Sequence, residues 1–442
     1  MGLSSTAFVF LSSILVLFMT PGLAFFYGGL VSKKNVVNTM LSVFIITGLA
    51  ILLWIIFGYS LSFSGNIGGF VGDLSNPFMH GIDLTSLMPS KIPTSIYAIF
   101  EMMFAVITPA LFVGSVVGRI RFKFLLVFIV LWSIVLYYPM VHMVWSANGI
   151  LAKLGTLDFA GGTVVHINAG VTAFVLSIFL GKRLKENRNA NHYNLPWVLL
   201  GTTILWIGWY GFNAGSALAV NNVAMQATMT TTVATATSMI VWMLLDMHFI
   251  GKPQLSGVCT GTLCGLVGIT PAAGFVTITG AFVIGILATL ASYFFVNYLK
   301  SKIGVDDVLD AFGCHGVSGI VGSILTGFLA TKSVNSAVTT NGLFYGGGFH
   351  MVGVQLIATI GTIIFVVIAC SVIISLLKLI MPMRVTKQEE MRGLDESEHG
   401  ENADYTVSLN DETFNKKKDI QVNAKEFKGQ FARLKNPNLP KD

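Results

Sequence analysis

The stretch MGLSSTAFVFLSSILVLFMTPGLAFF (1–26) contains no Lys, Arg, Asp or Glu. A cleaved secretory leader needs a positive n-region and a short apolar core of roughly 7–15 residues, and this stretch has neither. About 20 apolar residues in succession is the length a helix needs to cross the hydrocarbon core. The segment therefore reads as a first membrane helix, and the same signature recurs as far as residue 383. The expected spans are 3–27, 38–63, 95–117, 123–146, 161–181, 195–219, 226–250, 256–273, 275–300, 311–330 and 350–382. The division between the eighth and ninth is the weakest, since it rests on the turn from Pro271 to Gly274.

Composition agrees with this reading. The chain has 442 residues, 54% of them hydrophobic and 11% charged, with a mean hydropathy of +0.74. That is more apolar surface than a soluble fold hides. Residues 1–383 hold 16 Lys/Arg and 9 Asp/Glu, whereas residues 384–442 hold 11 and 12. The chain thus divides into a transmembrane domain, 1–383, and a polar tail, 384–442, expected to stay flexible unless a partner orders it. The net +6 is membrane topology rather than a nucleic-acid signal. One set of alternate loops carries twelve Lys/Arg and the other only three, Lys91, Lys153 and Lys332. The positive-inside bias places the first set in the cytoplasm, so the N-terminus is expected outside and the tail inside.

Two internal echoes point to duplication. PGLAFFYGGL in the first span pairs with GWYGFNAGS in the sixth, and DFAGGTVVHINAG in the fifth with DAFGCHGVSG in the tenth. Five spans separate each pair, and an odd offset inverts the second copy, an arrangement that places a pathway between the halves. The expected fold is therefore all-α and polytopic, with eleven transmembrane helices: two inverted five-helix repeats plus a last helix.

Ionisable groups inside spans cost free energy and mark pathways or polar knots. Asp158 with His166, and Asp310 with His315, occupy corresponding places in the two echoes, each followed by Gly-rich helix. Two imidazoles from opposite repeats can line one conduit, and their paired placement outweighs the alternative of two separate packing hydrogen bonds. For both aspartates a helix-capping role is favoured. Glu101, Asp246, His142, His248 and His350 are expected to pair locally or face water. Phe100 and Phe104, four apart, and Phe212 near Trp209 and Ser216 serve either as core or as a cation–π surface; Trp145 serves either as an interface anchor or in the same surface. Cys259, Cys264, Cys314 and Cys370 read as small buried hydrophobes. No phosphate loop, HExxH or GxSxG is present, so ATP hydrolysis and the commoner hydrolases lack a basis.

The ordered segments PGLAFFYGGLVSKKNV, ITPALFVGSVVGRIRF, HMVWSANG, LDFAGGTVVHINAG, GWYGFNAGS, GKPQLSGVCTGTLCGLVGITPA, DAFGCHGVSGI and GLDESEHGENADY resemble the ammonium transporter family (Amt/Mep/Rh), and its bacterial Amt branch more than the Rhesus branch. The resemblance implies a non-enzymatic homotrimer in the plasma membrane, serving nitrogen metabolism, with one pore per subunit and no cofactor or metal. It implies recruitment of ammonium, and of methylammonium as an analogue, by Trp145, Phe104 and Ser216, with Asp158 acting from behind the wall. It further implies a gate of Phe104 and Phe212 and a dry lumen lined by His166 and His315. Phe100, Tyr137, Trp209 and Thr270 align as second-tier residues. A PII-class signalling protein would block the cytoplasmic face, with residues 384–405 helping to build it. Lys416, Lys417 and Lys418 in the tail extension would meet such a partner, anionic lipid or only solvent. Glu101 departs from the family pattern, at a position expected to be uncharged. Two competing functions are a pure sensor, against which the retained histidine pair argues, and a histidine-metal enzyme, for which a third ligand is lacking.

Overall fold

The computed structural model describes residues 2–188 and 191–403. Its described residues form helices and turns, with isolated bridges and no strands. Ten helices are long and apolar enough to cross a membrane: α1 Leu3–Leu30, α2 Lys33–Phe63, α3 Thr94–Val113, α4 Phe122–Leu154, α5 Gly162–Leu180, α6 Leu195–Gly215, α7 Asn222–Phe249, α9 Ile278–Ile303, α10 Phe312–Leu329 and α11 His350–Ile380. Between α7 and α9 lies α8, Leu255–Ile269, at 15 residues shorter than a crossing requires. The expected eleven spans thus resolve into ten long helices and this shorter one, at the place where the sequence division was weakest.

The helices that carry each pair of echoes pack against one another through glycine. In α1 and α6, a Cβ on Gly201 would lie 2.4 Å from the Phe26 nitrogen, and one on Gly22 would lie 2.7 Å from Ile204. In α5 and α10, a Cβ on Gly170 would lie 2.2 Å from the Gly316 nitrogen. Lipid tails are as apolar as leucine, so close backbone approach and dispersion replace the hydrophobic effect as the force between such helices. Both α5 and α10 open with a π-helical turn, Gly162–Ile167 and Phe312–Val317, and each turn carries one of the two histidines. Such turns recur where a side chain must be re-aimed at a functional site.

The start of the tail departs from expectation. Residues 384–403 are held by the chain itself: Arg121 donates to Glu389 at 2.8 Å and to Glu398 at 3.1 Å, and Arg384 pairs with Glu390 at 2.7 Å. Thr386 and Glu389 form a capping box on a short helix, α12, Lys387–Arg392, while Asp395 accepts from the Asn38 amide. Glu390 and Asp395 are each 1% exposed. Reciprocal capping and charge-assisted bonds supply locally what an apolar core would otherwise supply. The remainder, including Lys416, Lys417 and Lys418, lies outside the described residues.

On the same face Asp306 accepts from the backbone and guanidinium of Arg183 at 2.8–3.0 Å, and its carbonyl accepts from Arg119 at 2.6 Å. Burial pushes the Asp306 carboxyl up, but the hydrogen bonds of Arg183 and the charge of Arg119 outweigh it and hold it at about 2, below the ordinary 3.8. A depressed carboxyl stabilises above its unfolded pKa and loses that contribution as pH falls through the folded one. With partial screening, Asp306→Asn should cost about 1–2 kcal/mol near neutrality. Melting curves of the two proteins should stay separated down to about pH 4 and converge toward pH 2.

Candidate functional site

A cleft of about 160 Å³ is lined by Tyr97, Glu101, Phe104, Trp145, Phe159, Ser216 and Leu218. Trp145, Phe104 and Ser216, which lie far apart in sequence, therefore meet in one place. The Trp145 indole is fixed by donating to the Asp158 carbonyl at 3.1 Å. Ser216 donates to the Phe212 carbonyl at 2.8 Å, which leaves the lone pairs of its oxygen available.

From the cleft, aromatic rings run inward in a continuous file. Phe104 meets Trp145 edge-on at 5.7 Å between centroids and Phe212 at 4.3 Å. Phe212 lies 5.8 Å from the His166 ring, nearly parallel to it. His166 in turn stacks on His315 at 5.4 Å with 15° between planes. Phe104, Phe212, His166 and His315 are all buried, so the file is closed to bulk water below the cleft.

The histidine pair is held by packing rather than by hydrogen bonds. Both ring nitrogens of His166 and Nδ1 of His315 are buried without a partner. An unsatisfied buried polar atom costs roughly 1–3 kcal/mol, and such exceptions call for a functional reason. Behind His166 lies the Trp209 indole, parallel at 5.4 Å and pinned by its bond to Thr270 at 2.9 Å. Thr270 lies 3.3 Å from Asn213, which donates to Thr231 at 2.9 Å. Trp209 and Thr270 thus form a backing plate for the imidazole. Phe100 buttresses Phe104 edge-on at 5.0 Å. Tyr137 stacks on Trp132 at 5.8 Å, among neither the cleft-lining residues nor the rings of the file.

The aspartates separate by role. Asp158 accepts from the amides of Gly161, Gly162 and Thr163 at 2.5–2.8 Å and from the Thr163 hydroxyl, which caps α5 as expected. Asp310 does not cap α10. Its carboxylate pairs with Lys300, and the amides of Ala311 and Phe312 are capped by Asp307 at 3.0 and 2.8 Å. Asp307 stands eight residues before His315, as Asp158 stands eight before His166, so the true counterpart of Asp158 is Asp307. The sequence signal is that spacing, which the more conspicuous DAFGCHG string masks by placing Asp310 nearer the histidine.

Other ionisable groups follow their expected roles with one exception. His142 is held between the Ser62 carbonyl and Asn66. Asp246 accepts from the Gln254 amide at 3.4 Å, and all four cysteines are buried and free. Glu101 neither pairs locally nor faces open water: it is 8% exposed, its Oε2 has no hydrogen-bond partner, and it lines the cleft. Tyr97, Phe159 and Leu218 carry no sequence signal of their own: Tyr97 and Leu218 lie outside the family-like segments, and Phe159, inside LDFAGGTVVHINAG, is overshadowed there by Asp158 and His166.

Ten long apolar helices around a buried file of aromatic and imidazole rings define a polytopic membrane transport protein. The chain belongs to the Ammonium Transporter Family, which it matches over residues 7–404. It is 44% identical to an ammonium transporter of Aquifex aeolicus across 90% of this chain and 93% of that one. It is 43% identical to one of Bacillus subtilis across 91% and 99%. Among solved structures, Saccharomyces cerevisiae Mep2 superposes with a TM-score of 0.81 at 33% identity, covering 88% of each chain. Family membership supports ammonium transport as the activity.

Proposed function

We propose that ammonium is recruited in the cleft of Trp145, Phe104 and Ser216, gives up a proton above the Phe104–Phe212 contact, and passes the His166–His315 pair as ammonia, the proton either returning to the outer water or travelling separately along the histidine pair. The observation that carries this reading is the buried ring file ending on imidazole nitrogens that the protein leaves unpaired. A small cation rests favourably on the indole face of Trp145, with the Ser216 oxygen as acceptor. Moving that ion intact into the file would strip its hydration at a cost of several kcal/mol, whereas neutral ammonia carries no such penalty. An alkali cation has no proton to give and stops at the gate. Asp158, its oxygens committed to capping, acts by fixing α5 and the Trp145 indole.

The same reading extends to the assembly: eleven membrane helices, ten of full length and the shorter α8, as two inverted repeats plus α11, a homotrimer with one pore per subunit, and a plasma-membrane setting with the tail in the cytoplasm. A PII-class partner would then meet the docked segment 384–403. In proteoliposomes, the purified protein should take up methylammonium saturably and exclude rubidium, and Trp145→Ala should raise KM about tenfold. Rubidium uptake at a comparable rate, or an unchanged KM in Trp145→Ala, would overturn the mechanism.

A further inference from the structure

The two carboxylates near the cleft differ in what they have left to give. Asp158 spends both oxygens on the start of α5, through three amide bonds at 2.5–2.8 Å and the Thr163 hydroxyl. Glu101, on α3 one helical turn before Ala105 and beside both Phe100 and Phe104, is committed to nothing. It is more than nine-tenths buried, Oε2 lacks a partner, and the residue lines the cleft with Trp145 and Ser216. No Lys or Arg lines that cleft; its other polar side chains are the Tyr97 phenol, the Trp145 indole and the Ser216 hydroxyl. A buried carboxyl without a partner is a standing cost, and a cation in the cleft would remove it.

We propose that Glu101 is an additional ligand of the recruitment cleft, a carboxylate that binds small monovalent cations by charge alongside the Trp145 face and the Ser216 oxygen. This rests on the proposed recruitment role of the cleft and adds to it a charged wall. An aromatic face and a hydroxyl hold a cation weakly in contact with water. A carboxylate in a site with low-dielectric walls strengthens that hold for any compact cation. The cleft then concentrates ammonium at low external levels, and discrimination is left to the ring file below. Binding and selectivity become separate steps, so a cation that cannot pass the file still competes for the cleft.

The test is methylammonium uptake into proteoliposomes by wild type, Glu101→Gln and Ser216→Ala, with and without an excess of caesium. Glutamine keeps the shape and removes the charge. Glu101→Gln should raise KM about tenfold, equivalent to about 1.4 kcal/mol of binding, with the maximal rate within about twofold. Caesium should compete in wild type and lose most of its effect in Glu101→Gln. If Glu101→Gln keeps the wild-type KM while Ser216→Ala raises it, the recruitment reading stands and the role of Glu101 is overturned. If neither variant changes KM, the recruitment reading itself falls. Caesium competition in wild type needs no variant, so its absence counts against the charged wall even if Glu101→Gln does not fold.

Discussion

Replacing Gly170 with alanine should lower the thermal stability of the purified protein and cut ammonium uptake at least about tenfold. A Cβ on Gly170 would stand 2.2 Å from the Gly316 nitrogen and 2.3 Å from its Cα, and neither is a flexible side-chain tip that can swing away. The helices α5 and α10 must part, and overpacking of this kind costs about 1–3 kcal/mol. Alanine returns up to about 1 kcal/mol in helix propensity, which does not offset it. Gly316 adjoins His315, and Gly170 lies four residues after His166, so separation at this point pulls the stacked imidazoles apart. Gly319→Ala is the instructive comparison. Its Cβ would approach His166 and Ile167 only to 3.2–3.4 Å, so it should be much milder. Gly361→Ala on α11 meets nothing within 4 Å and should be neutral or stabilising. Equal damage in all three would sink the idea that the Gly170–Gly316 contact sets the pair.

The second large effect concerns the imidazoles themselves. His166→Leu and His315→Leu should each slow methylammonium uptake by about one to two orders of magnitude while KM changes little, because recruitment occurs above them. A leucine keeps the passage filled and apolar but removes the polar atoms available along it. Leaving a small amine without a hydrogen bond in an apolar environment costs about 1–3 kcal/mol, and each 1.4 kcal/mol is a factor of ten in rate. The rings stack at 5.4 Å, so the double variant should be no slower than about the worse single one. Strict multiplicativity of the two losses, measured as a double-mutant cycle, would show that they act independently. Normal uptake in both single variants would remove the pair from the mechanism.

Much of the architecture was legible because membrane insertion is read locally. A run such as 1–26 is committed to lipid by its own length and lack of charge, and no distant residue changes that. His166 and His315 were legible for a related reason: an imidazole in an apolar run demands an explanation wherever it occurs. Pairing was harder. Asp158 and Asp307 share the same eight-residue offset to their histidines, yet Asp310 lies closer to the conspicuous motif. Which carboxylate caps depends on where α10 starts, and that start follows the backbone turn at Asp310, whose φ is +57°, and the pull of Lys300 on its side chain. The docking of the tail's beginning is not legible in the sequence, because its composition is solvent-like and it relies on partners such as Arg121 and Asn38, more than 250 residues away.

The sequence by itself determined that this is a polytopic membrane protein, which family it resembles, and which rings and imidazoles stand out within its apolar spans, since hydration cost and helix length act residue by residue. Only the tertiary structure decided that Trp145, Phe104, Phe212, His166 and His315 form one unbroken file. It alone also decided that Asp307 rather than Asp310 caps α10 and that Glu101 is left without a partner. A carboxylate's role depends on which donors lie within about 3 Å of it, and chain order does not specify that distance.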